Sequence, residues 1–151
     1  MTPFMLQKDL VQELEALFQD FKLLSPALLE NKVKIFEQGL PVKSKKNDVS
    51  NFPYIIVRIN EGSIGSENVC DVILIFGVYD ESEERQGHKD LMNMIQDVCY
   101  KYSTERIIAN KYTVIDEIEW TLQEEDIYPY YFGGIAFRVG IPKIYVQDDL
   151  I

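Results

Sequence analysis

The sequence predicts an α+β fold: a single antiparallel β-sheet with two main helices packed on one face. Three observations predict it. Apolar residues recur at every third or fourth position in two segments, about 4–22 and 86–103, as in helices with one buried side. Runs of strand-like alternation come in pairs separated by turn-forming residues, the arrangement of antiparallel hairpins. Finally, 151 residues, 46% hydrophobic and 26% charged, suffice for one domain, residues 1–151, with a real core and little room for a second.

In chain order, Leu6, Leu10, Val11, Leu14, Leu17, Phe18 and Phe21 make the stripe of the first helix, and Pro3 suits its opening turn. Ser25-Pro26 breaks the period, so Ala27-Leu28-Leu29 is expected as a turn of helix or a loop. Val33 and Ile35 read as a short strand that exits at Gly39-Leu40-Pro41. Residues 39–51, GLPVKSKKNDVSN, show neither a period of 2 nor one of 3.6, and are expected to form a mobile loop or arm. Loops of that length tend to be functional or disordered, which makes this one a candidate contact element.

After Pro53, Ile55, Val57 and Ile59 alternate with Tyr54, Ile56 and Arg58 as a strand with one buried face. Turn residues at 60–66 lead to VCDVILIFGVYD (69–80), apolar on both sides and expected as a central strand paired antiparallel with its predecessor. Leu91, Met94, Ile95, Val98 and Tyr102 stripe the second helix, with Glu81, Glu83 and Glu84 clustered before its positive end. Tyr112, Val114, Asp116, Ile118, Trp120 and Leu122 share one parity of the next strand, which ends at Glu124-Glu125-Asp126. The last strand carries Ile135, Phe137, Val139 and Ile141 on one face; Gly133-Gly134 reads as a bulge or bend and Pro142 as a stop.

Charge narrows the function classes. With 15 basic and 25 acidic residues the chain carries −10, a field that repels phosphate and argues against a sequence-reading nucleic-acid binder. The acidity is uneven: residues 1–46 hold seven bases and six acids, and 47–151 hold eight bases and nineteen acids. No run reaches the roughly 18 apolar residues of a membrane span. The first residues mix Lys8, Asp9, Glu13 and Glu15 into their apolar positions, unlike a signal peptide, so the chain is expected to be cytoplasmic. Cys70 and Cys99 lack metal or redox spacing and are expected as buried free thiols.

No catalytic, cofactor-binding or metal constellation is legible. His88, the single histidine, has no nucleophile motif or orienting carboxylate and is expected as a partly buried structural residue beside the helix stripe. Glu117 and Glu119 share a strand face, but nothing completes a cation site, so a solvated face is expected. The glycines at 62 and 65 join two strands and lack the helix that phosphate loops use. Lys43, Lys45 and Lys46 have no interleaved aromatics, which favours a solvated arm or an acidic protein neighbour over nucleic acid. Trp120, Tyr128, Tyr130, Tyr131 and Phe132 fit a ligand-stacking or interface patch and core or sheet-edge packing equally well.

Three stretches, FPYIIVRINEGS (52–63), VILIFGVYDESEERQGHKDLMNMIQDV (72–98) and YTVIDEIEWTLQEEDIYPYYFGGIAFRVGIPK (112–143), together resemble the tail terminator family of long-tailed bacteriophages of Gram-positive hosts. These are also called tail completion or head-to-tail joining proteins. The likeness lies in order and spacing: an aromatic-Pro opening, a long apolar strand ending in Tyr-Asp, a Gly-initiated helix with Asp-Leu-x-Asn, and a Pro-Tyr-aromatic-Gly run opening the last strand.

The resemblance implies a non-enzymatic virion protein, assembled in the host cytoplasm, with no cofactor. It implies a ring of six copies that caps the tail tube, halts its polymerisation and faces the head connector or stopper. Its partners would be further copies of itself, the tail-tube protein and the connector, with DNA passing through the lumen without specific binding. Six copies would carry about sixty negative charges, which keeps passing DNA from adhering. A ring closes through complementary patches on one subunit. The candidate patches are Lys43, Lys45 and Lys46 on one side and Glu81, Glu83, Glu84, Glu124, Glu125 and Asp126 on the other. The alternative from another class is a small acidic inhibitor or immunity protein that masks a basic partner.

Overall fold

A computed structural model of the protein describes residues 1–21, 23, 24, 32–42 and 48–143. Its elements are α1 (Pro3–Leu17), β1 (Lys34–Glu37), β2 (Tyr54–Ser63), β3 (Asn68–Tyr79), α2 (Gly87–Glu105), β4 (Ile107–Ile108), β5 (Tyr112–Leu122) and β6 (Tyr130–Ile141). The fold is α+β, built on one six-stranded sheet in the order β1-β2-β3-β6-β5-β4.

The sheet is mixed, which corrects the expected all-antiparallel arrangement. β1 runs parallel to β2, with Lys34 beside Tyr54 and Glu37 beside Val57, while every other neighbouring pair is antiparallel. Parallel neighbours need a long connection that returns the chain to its starting end. The segment after Glu37 supplies that length, so the loop at 39–51 serves first as a crossover. Its described ends are tied down, because Leu40 and Val49 pack against apolar residues of the sheet.

Thr2 caps α1, its hydroxyl oxygen accepting from the Met5 amide at 3.1 Å, and Pro3 takes the first turn. The helix ends at Leu17 and not near 22. The apolar stripe outlasts it because Phe18 and Phe21 sit in the following turn and still reach the core, their rings edge to face at 5.2 Å. Ala27-Leu28-Leu29 lies outside the described residues. Gln7 fixes α1 to the sheet by donating to the Val57 carbonyl at 2.8 Å and to Gln38 Oε1 at 2.6 Å.

One core cluster joins Leu6, Leu10 and Leu14 of α1 and Leu91, Met94, Val98 and Tyr102 of α2 to Val57, Leu74, Phe76, Val114, Ile135 and Val139 of the strands. Successive strand residues point to opposite faces. Residues of the other parity, Tyr54, Ile56, Ile75, Tyr79, Tyr130 and Phe132, form a second cluster around Phe52. Gly77 belongs there by necessity, since a Cβ on it would lie 2.3 Å from the Tyr54 ring.

Gly133-Gly134 is not a bulge. Both residues pair regularly with Phe76 and Ile75 of β3 and with Leu122 and Thr121 of β5. A Cβ on Gly133 would come within 2.8 Å of Ile95 Cδ1 and 2.9 Å of the Thr121 carbonyl, so the missing side chain lets α2 lie close on the sheet. The irregularity falls instead in β5, between Ile115 and Glu119, where Asp116 takes a φ of 59°.

Candidate interaction surfaces

Two acidic turns converge at one end of the sheet. The first leaves β3 at Asp80, a buried residue whose carboxylate accepts from the Ser82 amide and the Gly87 amide, each at 2.9 Å. Those bonds fold residues 80–87 back and satisfy a donor at the start of α2. The second turn joins β5 to β6, and the Asp80 amide donates to its Pro129 carbonyl at 2.9 Å.

Arg85 connects the two. Its guanidinium lies 2.5 Å from Asp126 Oδ1, donates to the Tyr131 hydroxyl at 3.4 Å and stands 5.0 Å from the centre of the Tyr128 ring. Tyr128 in turn donates its hydroxyl proton to the Glu81 carbonyl. The hydrogen bond from Arg85 holds the Asp126 carboxyl below its ordinary value. Tyr79 donates to the Glu81 carboxylate, and that bond pushes the tyrosine up to about 12.

The structure therefore brings together all six acids singled out from the sequence, but divides them by role. All six are exposed; Asp126 is paired with Arg85 and Glu81 accepts from Tyr79. The inclusion of Arg85 in this group was not read from the sequence; a lone basic residue in an acidic turn was the available signal. Lys43, Lys45 and Lys46 lie outside the described residues.

His88 is exposed, which corrects the expectation of partial burial. It occupies the first turn of α2 with Nδ1 2.8 Å from the Arg85 carbonyl, and three residues' spacing from Leu91 leaves it beyond the edge of the buried stripe. Cys70 and Cys99 are free; Cys70 is buried, and burial together with the neighbouring Asp71 pushes its thiol up to about 11. Cys99 is only half-buried.

The aromatic group singled out from the sequence is dispersed. Tyr131 lies in the main core, and Tyr130 and Phe132 stack within 4° of parallel in the second cluster. Trp120 is 54% exposed beside Met92, Ile95, Cys99 and Leu122, in an apolar hollow of about 260 Å³ between α2 and β5.

Glu117 and Glu119 border a wide, open hollow with Asp71, Asp116 and Arg138, and Arg138 Nε donates to Asp71 at 3.1 Å. Among the described residues no group of three or more His, Cys, Asp or Glu is placed to hold a metal ion, and no helix is long and apolar enough to cross a membrane. No protein-family model matches the chain, and no curated protein matches it either.

Proposed function

We propose that this chain is a phage tail terminator, a structural virion protein that caps the tail tube, stops its polymerisation and forms the head-to-tail joining surface as a hexameric ring. In this reading both helices cover one face of the sheet, and the protein makes and breaks no bonds. The observation that carries it is where the family-like stretches fall: 52–63 opens onto β2, 72–98 runs from β3 into α2, and 112–143 spans β5 and β6. The stretches thus contain β2, β5 and β6 whole and most of β3 and α2, and the two acidic turns within them meet at one end of the molecule.

That end, with Glu83, Glu84, Glu124 and Glu125 exposed, is a surface suited to a basic partner such as the lysine arm of another copy, the tail-tube protein or the connector. The same surface also favours the second reading, an inhibitor or immunity protein masking a basic enzyme. Size-exclusion chromatography with light scattering separates the two. A particle of six chains supports the terminator, and a monomer or dimer that binds a basic partner supports the inhibitor.

A further inference from the structure

Large apolar side chains scattered singly over a surface are ordinary. Two groups of them are concentrated here, one convex and one concave. The convex group is the start of α1, where Met1, Phe4 and Met5 are all exposed, Phe4 to 68%. The concave group is the hollow between α2 and β5, where Trp120 and Met92 are exposed beside Ile95, Cys99 and Leu122. α2 brings Met92, Ile95, Gln96 and Cys99 to it at spacings of three and four, and β5 brings Trp120 and Leu122 at a spacing of two, so each element turns one regular face to the hollow.

Phe4 does not fill the hollow of its own chain. Gln7 pins the start of α1 to Val57 of β2 and to Gln38, just beyond β1. The helix meets β5 at that strand's beginning, where Tyr112 donates to Asp9 at 3.2 Å, whereas Trp120 and Leu122 stand at its other end. Among the described residues none from α1 lines the hollow.

Charge favours bringing the two groups together between copies. The first turn of α1 holds no acidic residue, and the exposed Lys8 follows Phe4 by one turn on the same side of the helix. Leu122 borders both the hollow and the acidic end, where Glu124 and Glu125 are exposed.

We infer that the start of α1 in one copy seats in the hollow of the next, with Phe4 against Trp120 and Lys8 toward Glu124 and Glu125. The hollow's volume of about 260 Å³ suffices, since a cavity of about 150 Å³ already admits a benzene ring. A tryptophan anchor walled by methionine and aliphatic side chains is the composition of interface centres, and its acidic rim answers a basic partner. The two surfaces differ, so the contact is heterologous and propagates head to tail, as a closed ring requires. This inference rests on the ring reading and specifies how the ring is joined.

The test uses full-length variants. Phe4→Glu sets a carboxylate against the apolar hollow and its acidic rim. It should keep the wild-type circular dichroism, because Phe4 is exposed, and fall in light scattering from six times 17.6 kDa to a single chain. Trp120 is the single tryptophan; its emission should shift to the blue as the wild type assembles and stay unchanged in Phe4→Glu. Met5→Cys keeps Phe4 and brings a thiol to Cys99 of the neighbouring copy, so a short bis-maleimide should link chains in a ladder that extends beyond dimers. Met5→Cys/Cys99→Ala removes the thiol from the hollow and should give dimers at most, since Cys70 is buried.

A folded Phe4→Glu that assembles like the wild type overturns the joint and leaves the ring standing. So does an assembled Met5→Cys that yields no ladder beyond dimers. Where Phe4→Glu fails to fold, the cross-link alone decides. Wild-type protein that remains monomeric at millimolar concentration, with no ladder from Met5→Cys, overturns the joint and leaves the hollow to a partner of another kind; the ring reading then depends on the tail-length experiment alone.

Discussion

Arg85 and Asp126, 41 residues apart in the chain, lie 2.5 Å apart at the junction of the two acidic turns. The contact ties the loop after β3 to the turn before β6 at the end of the molecule where the proposed partners would dock. It also sets how many free negative charges that surface presents, since Asp126 is spent internally and its neighbours Glu124 and Glu125 are not.

Carbon-detected NMR titration of the Asp126 carboxyl should show it ionising below the ordinary value of 3.8, with return toward that value in Arg85→Ala. A depressed folded-state value contributes stability above the unfolded pKa, and that contribution is lost as pH falls through the folded one. The difference between wild type and Arg85→Ala should therefore shrink in acid below the ordinary carboxylate value. An Asp126 that titrates identically in both proteins contradicts the contact.

Replacing Gly133 by alanine puts a methyl group against Ile95 and the Thr121 carbonyl. The backbone oxygen has little freedom to yield, so a loss of about 1–3 kcal/mol is expected in urea unfolding. Gly65→Ala, at a position with open space around the added carbon, serves as the control and should change little.

Alkaline stability should be governed by buried tyrosines. Burial pushes Tyr112 up to about 12, with a hydrogen bond to Asp9 adding to it, and burial and Glu13 push Tyr102 up as well. A raised folded-state value gives stability that is complete below the unfolded pKa near 10 and lost as pH rises through the folded one. Unfolding at constant temperature should thus set in between pH 10 and 12, with tyrosinate absorbance rising in step. Tyr112→Phe should move the onset to higher pH.

Replacing Lys43, Lys45 and Lys46 together by glutamate should leave the monomer's circular dichroism and melting unchanged while weakening capping of the tail tube. Each exposed pair contributes only about 0.2–1 kcal/mol, so single substitutions should have little effect. A triple variant that gives tails of normal length removes the arm from the contact.

The elements were legible where a period ran long enough. The stripes of α1 and α2 and the alternation along β6 correspond to buried faces, because burial itself imposes those periods; β3 was legible as an apolar run, and β2, expected to bury one face, buries Tyr54 and Ile56 on the other as well, against Phe52. Strand direction was not legible at β1: four residues alternate identically whether the neighbour is parallel or antiparallel. β4 escaped for the same reason, having two residues and no period. Gly133 misled because the sequence shows the absence of a side chain and not whether it serves a bend or a close approach; Ile95, 38 positions earlier, decides between them. The acidic turns were visible as charge, but their meeting through Arg85 depends on how β3 and β6 pair, from Asn68 with Ile141 to Tyr79 with Tyr130. His88 sits one turn before Leu91, where the apolar stripe gives no sign that burial has ended.

The central claim is control of tail polymerisation, and it is tested most directly by the length distribution of tails made in the absence of this gene, measured by electron microscopy. The account predicts tubes of irregular and excessive length beside DNA-filled heads that remain unattached, with uniform joined tails restored when the gene is supplied in trans. Tails of normal length joined to heads without it would contradict the account and leave the inhibitor reading in its place.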